Sequence, residues 1–219
     1  MIETKRSPTD HRLIHLFTSP VLEQQWNDTA ALNETLRTVI LDRRAASRGV
    51  RYSNVGGWHS EPDFEAWSGD AGKTLTNMVI EQVNRATQHY LRTMRASQRR
   101  IVWRITMWAN VNEAGHYNRS HTHPGATWSG VYYVDAGDEP TEGSEAGTLV
   151  LHHPNLAAAG WFFPDITPQA HYVRPRAGLM MLFPAFLAHE VRPYGGQRPR
   201  ISVAFNAKIE PDAPPSTPR

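Results

Sequence analysis

The stretch NRSHTHPGATWSGVYYV, residues Asn118–Val134, places two histidines two positions apart, directly before a run that is typical of a β-strand. Because alternate residues of an extended strand share one face, His121 and His123 are expected to present their imidazoles side by side, with Thr122 facing away. Two such rings can bind one metal ion, but two ligands hold it poorly, so a third must come from elsewhere. The alternative interpretation is a solvated pair of histidines before a strand.

The best candidate for the third ligand is His189, in the segment LFPAFLAHEVRPY. It follows a strand-like run and a Phe-Pro turn, and it precedes the last strand-like segment. A carboxylate could also complete the set, but Glu190 would point to the opposite side of a strand from His189. Glu113, in the loop before the first motif, is the second choice after His123. His116 has the wrong phase to share a face with His121.

Composition predicts a single globular domain that is rich in β-structure. The chain has 219 residues, of which 40% are hydrophobic and 20% charged, and its 16 prolines and 15 glycines favour many turns. A net charge of +2 argues against nucleic acid and membrane partners. The sequence has no cysteine, no apolar signal core near its N-terminus and no stretch approaching the roughly 18 apolar residues of a membrane span. We therefore expect a cytoplasmic protein.

We expect one domain over residues 1–209, followed by a disordered, proline-rich tail over 210–219. Helical support is predicted at about 20–100 and a β-core at about 101–209. The region before the first helix is interpreted as a lead-in with a short strand in LIHLFTSP.

Two helices and an intervening loop are predicted in the first half of the chain. The first helix is capped by Asn33, and the second spans roughly Lys73 to Arg95, where apolar residues recur at three- and four-residue steps. Val50–Trp67, with its paired glycines, is interpreted as an ordered loop. After Arg100, short runs of β-branched and aromatic residues alternate with turn signals, which favours an antiparallel barrel or sandwich on a helical layer.

The motifs also occur in a specific order: H-x-H, a strand ending in Tyr-Tyr, a strand leading to Phe-Pro, H-x-V, and Arg-x-Ser in the last strand. This order resembles the Fe(II)/2-oxoglutarate-dependent oxygenases, and most closely their prolyl-hydroxylase-like branch. The segments SNVGGWHS, HTHPGATWSGVYYV and RISVAFN are similar to a family of such oxygenases found in bacteria and phages. The resemblance covers the chain from about Leu16 to Asn206.

The resemblance implies a mainly β fold with supporting N-terminal helices, the double-stranded β-helix or cupin-like jelly-roll. It implies Fe(II) and 2-oxoglutarate as cofactors, with His121 as the first metal ligand and His189 as the distal one. The family's usual pattern is His-x-Asp/Glu followed by a distal histidine, a facial triad with open positions. This chain departs from it, because His123 occupies the place of the carboxylate. Imidazole still suits iron, but the metal's identity is left open.

The resemblance also implies a cation for the distal carboxylate of 2-oxoglutarate, for which arginine offers a planar, bidentate fork. Arg200 and Ser202 are alternate residues of the last strand and share one face. Arg198 has the same parity and stays open as the alternative. Tyr133 is expected to face inward and to donate its hydroxyl to the same carboxylate.

The predicted activity is hydroxylation of a small molecule or a protein side chain, with succinate and carbon dioxide as co-products. Two other functions stay open: a three-histidine cupin-type dioxygenase that needs no 2-oxoglutarate, and a non-enzymatic β-barrel that binds a metal or ligand. The oligomeric state is open, a homodimer being one option. Several residues around the motifs could serve either the site or the core. They are Trp58, His59, Trp108, Asn110, Trp128 and Asn206.

Overall fold

The computed structural model describes residues 18–96, 101–139, 143–155 and 169–210. The helices in these residues are α1 (Ala30–Ala46), α2 (Phe64–Trp67) and α3 (Gly69–Thr93). The strands are β1 (Leu22–Gln25), β2 (Asn54–Val55), β3 (Trp58–His59), β4 (Trp103–Asn112), β5 (Tyr117–His121), β6 (Trp128–Asp135), β7 (Leu149–His152), β8 (Ala170–Val173), β9 (Leu179–Pro184), β10 (His189–Val191) and β11 (Arg200–Ile209).

The strands form two antiparallel sheets. The six-stranded sheet has the order β1-β9-β6-β11-β4-β3, and the five-stranded sheet has the order β2-β5-β10-β7-β8. Side chains of both sheets, including Tyr133, Leu151 and Phe183, pack into one core between them. A second core joins α1 and α3 to the other face of the six-stranded sheet. Paired sheets on a helical layer are the architecture predicted from the sequence.

The period of two along β11 decides which of its side chains face the inter-sheet space. Ile201, Val203 and Phe205 belong to the core under the helices. Arg200 and Ser202, at the alternate positions, therefore project from the opposite face, toward the five-stranded sheet. The Phe205 ring of β11 lies over its cross-strand partner Gly130 in β6, where a Cβ would be 2.3 Å from the ring. Glycine at this position leaves the space that the ring occupies.

The first helix begins earlier than predicted, after Thr29 rather than at Asn33. Asn33 is therefore wrong as the helix cap. It lies one turn inside α1, where its side-chain oxygen accepts a hydrogen bond from the Tyr132 hydroxyl at 2.7 Å. Tyr132 thus faces the helices and its neighbour Tyr133 faces the space between the sheets. The second predicted helix is α3, which begins four residues before Lys73.

The segment Val50–Trp67 holds more regular structure than the predicted loop. It contains β2, β3 and α2, and β3 pairs His59 with Asn110 at the edge of the six-stranded sheet. A strand of two residues is stabilised by its partner strand, so its own sequence hardly predicts that it is a strand. Most of the predicted lead-in strand lies outside the described residues. All of the tail over 211–219 lies outside them as well. None of the described helices is both long and apolar enough to cross a membrane.

Candidate active site

A cavity of about 600 Å³ lies between the two sheets. Its lining comes mainly from β4, β6 and β11 of the six-stranded sheet and from β5 and β10 of the five-stranded sheet. All six residues predicted for the site line this cavity: His121, His123, His189, Arg200, Ser202 and Tyr133. The fold therefore brings together residues that are as far as 81 positions apart along the chain.

The three histidines form a compact group, hereafter the histidine cluster (His121, His123 and His189). Each offers one ring nitrogen, and these three atoms all lie within 4.8 Å of one another. His121 ends β5 and His189 begins β10, and the two residues are direct partners across the sheet. His123 lies just beyond β5, where its backbone N–H donates to the Ala185 carbonyl at 3.0 Å. The expectation that one strand carries both His121 and His123 is therefore wrong, although their rings converge.

An irregularity in β5 affects which of its side chains face the cavity. His189 pairs with His121, but Val191, two residues on, pairs with Asn118, three residues back along β5. The extra residue in β5 is a β-bulge, a feature that re-aims side chains at the rims of barrels. His121, Asn118 and Val191 all line the cavity as a result.

Hydrogen bonds to the backbone orient two of the three rings. His121 Nδ1 lies 2.7 Å from the Arg119 carbonyl oxygen, and His189 Nδ1 lies 2.9 Å from the Leu187 carbonyl oxygen. A carbonyl oxygen can only accept, so each Nδ1 carries the proton and each Nε2 keeps its lone pair. This is the arrangement that metal-bound histidines adopt, with the second ring nitrogen fixed by a backbone or carboxylate acceptor.

The third ring is held by a side chain instead. His123 Nδ1 lies 3.3 Å from the amide nitrogen of Asn206, in β11. The Asn206 side-chain oxygen is buried and has no hydrogen-bond partner among the described residues. Turning this amide over would direct its oxygen at a protonated His123 Nδ1, since the amide carries donors at one end and an acceptor at the other. His123 would then match the other two rings.

Burial keeps the histidine cluster neutral. It lowers the pKa of His121, that of His123 to about 4 and that of His189 to about 3, and for His123 and His189 repulsion from neighbouring histidines adds to the effect. At neutral pH the imidazoles are therefore uncharged, the form that binds metal.

No aspartate or glutamate is found among the described residues that line the cavity. Glu113 instead forms an ion pair with Arg44, and Glu190 forms one with Arg192 at 3.0 Å. His116 accepts a hydrogen bond from the Glu113 backbone and does not line the cavity. The carboxylates considered as alternatives to His123 thus have other partners.

A second polar group in the cavity consists of Arg200, Ser202 and Tyr133. Arg200 is 4% exposed, and its guanidinium donates to the Gly147 carbonyl while Nε has no partner among the described residues. Ser202 and Tyr133 are cross-strand partners, each less than a tenth exposed. Burial raises the pKa of Tyr133 to about 12, so its hydroxyl keeps its proton and can donate. The group offers several donors and a buried positive charge to an anion.

Arg198, the alternative to Arg200, lies outside the cavity. Its side chain is 64% exposed, with Nε 2.8 Å from a carboxylate oxygen of Asp138, and it also donates to the Gly137 carbonyl. Strand β11 begins at Arg200, so residue 198 precedes the sheet. Its parity along the chain therefore says nothing about its direction.

Two aromatic residues near the histidine cluster were left ambiguous by the sequence. His59 and Trp108 line the cavity with their rings stacked, centroids 5.6 Å apart and planes 12° from parallel. By contrast, Trp58 donates to the Ser47 carbonyl and Trp128 donates to the Thr87 hydroxyl, and neither lines the cavity. The pairing of β3 with β4 decides that His59 reaches the cavity, and that pairing has no local signal in the sequence.

Comparisons with known proteins agree with this geometry. Residues 106–206 match the family described as "Putative 2OG-Fe(II) oxygenase". A comparison with curated protein sequences gives no match. Similar solved structures include a prolyl-4-hydroxylase from Pseudomonas putida, with 18% identity and a TM-score of 0.61, covering 89% of this chain and 95% of that one. A prolyl hydroxylase from Trichoplax adhaerens, in complex with a hypoxia inducible factor peptide fragment, has 13% identity and a TM-score of 0.63, covering 86% and 83%.

HygX from Streptomyces hygroscopicus, solved with nickel and 2-oxoglutarate bound, has 13% identity and a TM-score of 0.57, covering 87% of this chain and 83% of that one. These likenesses confirm the double-stranded β-helix fold. The family match runs from β4 to β11 and includes the histidine cluster and Arg200. Residues 106–206, which include the histidine cluster and Arg200, are thus similar to the 2OG-Fe(II) oxygenase family, and the chain shares its fold with solved prolyl hydroxylases.

Proposed function

We propose that His121, His123 and His189 hold Fe(II) in this oxygenase, and that Arg200, Ser202 and Tyr133 hold the distal carboxylate of 2-oxoglutarate. The observation that carries the proposal is the pairing of two features in one cavity. Three neutral imidazoles converge within 4.8 Å, and a buried arginine presents an N–H without a partner among the described residues. The first feature suits a metal and the second suits an anion.

The donor set fits the metal. Imidazole nitrogen is a common ligand for iron, and the backbone acceptors at Nδ1 of His121 and His189 leave the lone pair of Nε2 on both rings to bind it. Nε2 of His121 also lies 3.4 Å from the Ser53 hydroxyl oxygen, a contact that a metal would replace. Three protein ligands leave the remaining positions on the metal for small molecules. Bound together, Fe(II) and 2-oxoglutarate supply oxidising chemistry in which oxygen converts 2-oxoglutarate to succinate and carbon dioxide while a C–H bond of the substrate is hydroxylated.

The anion group fits the co-substrate. A carboxylate that enters the space beside Arg200 loses water, which costs several kcal/mol unless a cation and donors replace it. The Arg200 guanidinium keeps its charge at neutral pH. Ser202 and Tyr133 can add uncharged O–H donors on the same face of the sheet. These residues therefore bind and orient the co-substrate while they exclude water from its carboxylate.

The substrate is proposed to be a small molecule or a protein side chain. The solved prolyl hydroxylase from Trichoplax is in complex with a peptide fragment, and HygX was also solved with hygromycin B bound. Both a peptide and a small molecule are therefore found bound to proteins of this fold. The absence of cysteine is compatible with the cytoplasm, which we propose as the location.

A specific observation favours one other function, a three-histidine dioxygenase that binds its substrate directly. That observation is the all-imidazole ligand set without a carboxylate in the described lining. The buried, unpaired Nε of Arg200 argues for the 2-oxoglutarate enzyme instead, because a dioxygenase of the other kind has no need for a second anion site.

Succinate release separates the two. Purified protein is loaded with Fe(II), given 2-oxoglutarate and oxygen, and assayed for succinate without any added substrate, since uncoupled turnover suffices. We expect succinate from the parent protein and none above background from His189→Ala. His116→Ala, which changes a histidine outside the cavity, is the matched control and should retain turnover. Equal succinate from the parent and His189→Ala would contradict the proposal.

A further inference from the structure

The cavity has an unbalanced charge. Its described lining includes two arginines, Arg119 and Arg200, and no acidic residue. Arg200 is buried, whereas Arg119 is exposed and its side chain has no ion-pair or hydrogen-bond partner among the described residues. An arginine at the edge of a cavity without a carboxylate is free to meet an anion from solution.

Loading the site does not remove this positive charge. If the proposed function holds, the divalent metal and the dianionic 2-oxoglutarate cancel each other, and three neutral imidazoles add no charge. The charge of Arg200 is then left over, because this chain has His123 where the common ligand pattern has a carboxylate. Arg119 adds a second positive charge. A cavity of one sign with low-dielectric walls concentrates ligands of the opposite sign.

Flat rings form one wall of the cavity. The Arg119 backbone N–H donates to the Ser53 carbonyl at 2.9 Å, which sets Arg119 close to Tyr52, a side chain that is 68% exposed. The Tyr52 ring lies 5.3 Å from the His59 ring. His59 stacks on Trp108, whose ring lies 5.7 Å from that of His123. The row of rings thus runs from an exposed residue beside Arg119 to the histidine cluster.

We propose, on the basis of the function above, that the substrate is an anion that contains a planar ring. Its carboxylate, phosphate or sulfate is bound by Arg119, whose planar fork matches these groups in a bidentate manner. Its ring lies against Tyr52, His59 and Trp108, which places the portion beyond the ring near the histidine cluster. Aromatic faces favour offset or edge-on contacts with another ring, so this wall prefers flat groups to branched aliphatic ones.

Three probes of one shape and different charge test the proposal: benzoate, benzamide and benzamidine. Each is titrated calorimetrically into the Fe(II)-loaded protein under argon, with saturating 2-oxoglutarate so that the Arg200 site is filled. We expect benzoate to bind most tightly and benzamidine most weakly. Arg119→Gln should weaken benzoate by about tenfold, the loss expected for one charge-assisted hydrogen-bonded pair at a partly exposed position. Arg119→Glu should reverse the order of benzoate and benzamidine.

Two further variants complete the design. Arg198→Gln removes an exposed arginine outside the cavity and should leave the order and strength of binding unchanged. Tyr52→Ala should weaken all three probes by a similar factor, because it removes ring contact and no charge. Tight binding of benzamide or benzamidine relative to benzoate, no binding of benzoate, or an unchanged benzoate affinity in Arg119→Gln would overturn the proposal.

Before the probes are added, 2-oxoglutarate itself is titrated into the Fe(II)-loaded protein. This first titration tests the proposed function separately. If 2-oxoglutarate does not bind the metal-loaded protein, the proposed function fails and the charge balance built on it fails as well. If 2-oxoglutarate binds and the probes do not follow the expected order, the cofactor assignment stands and the substrate class is wrong.

Discussion

Substitution of Arg200 is expected to weaken 2-oxoglutarate binding strongly while leaving the metal bound. The side chain is 4% exposed, so a carboxylate that pairs with it is removed from water. Taking one partner from a buried, hydrogen-bonded charge pair costs about 2–5 kcal/mol, much of it from leaving the other charge unpaired. That range corresponds to a roughly 30- to 5,000-fold rise in the dissociation constant. Arg200→Leu should fall within it.

Folding has to be separated from binding in this variant. The Arg200 guanidinium also donates to the Gly147 carbonyl, so its loss leaves a buried acceptor without that donor and should cost about 1–3 kcal/mol of unfolding free energy. Arg200→Lys keeps a positive charge and a donor but loses the planar fork, and it should recover only part of the affinity. Thermal unfolding of each variant, measured without cofactors, reports the folding term alone.

The assay is calorimetric titration of metal-loaded protein with 2-oxoglutarate, together with metal analysis of the same samples. Arg198→Leu is the matched control, because Arg198 is exposed and bound to Asp138. The reasoning is refuted if Arg200→Leu binds 2-oxoglutarate as tightly as the parent protein. It is also refuted if Arg198→Leu alone weakens binding.

Other substitutions address the metal. His189→Ala should lose metal, whereas His116→Ala should retain it; equal metal content in both, by elemental analysis, would contradict the assignment. His123→Asp should keep or strengthen Fe(II) binding by restoring a carboxylate, and a folded variant without metal would show that His123 has another role. Asn206→Ala should weaken metal binding by about tenfold or more, as loss of a partner of a ligand does, while Asn110→Ala should not. In the metal-free protein, the pH-dependent contribution of the histidine cluster to the free energy of unfolding is fully present above pH 6.5, the ordinary histidine pKa. Burial lowers the folded-state pKa of His123 to about 4 and that of His189 to about 3. Below pH 6.5 the unfolded chain therefore binds more protons than the folded protein. The melting temperature should fall as the pH is lowered from 6.5 toward these folded-state pKa values. His189→Ala should flatten this dependence, and a melting temperature that does not change between pH 7 and pH 4 would contradict it.

The sequence was informative where the relevant pattern is local. The period of two along β11 identified Arg200 and Ser202 as neighbours on one face, and the same period separated Tyr132 from Tyr133. His121 and His123 were recognised by their spacing, although the chain leaves the strand between them. Their rings are nevertheless neighbours, with centroids 5.0 Å apart.

The sequence was uninformative where a long-range pairing decides the outcome. His59 reaches the cavity because β3 pairs with β4, and a two-residue strand has almost no propensity of its own. Arg198 and Arg200 have the same parity, but only the start of β11 and the carboxylate of Asp138, 60 residues away, distinguish them. Asn33 is a good capping residue by type, yet it is used for a hydrogen bond to Tyr132, 99 residues away.

The missing carboxylate connects the metal, the co-substrate and the proposed substrate. A carboxylate at position 123 would be partly desolvated beside the buried ring of His189 and the half-buried ring of His121, so the metal-free site would have to hold a poorly solvated negative charge. His123 avoids that cost, because a neutral ring is stable there without metal, with Asn206 beside it. If His123 and Arg200 act as proposed, the positive charge that a carboxylate would have cancelled remains when the metal and 2-oxoglutarate are both bound. The loaded cavity should therefore favour a second anion.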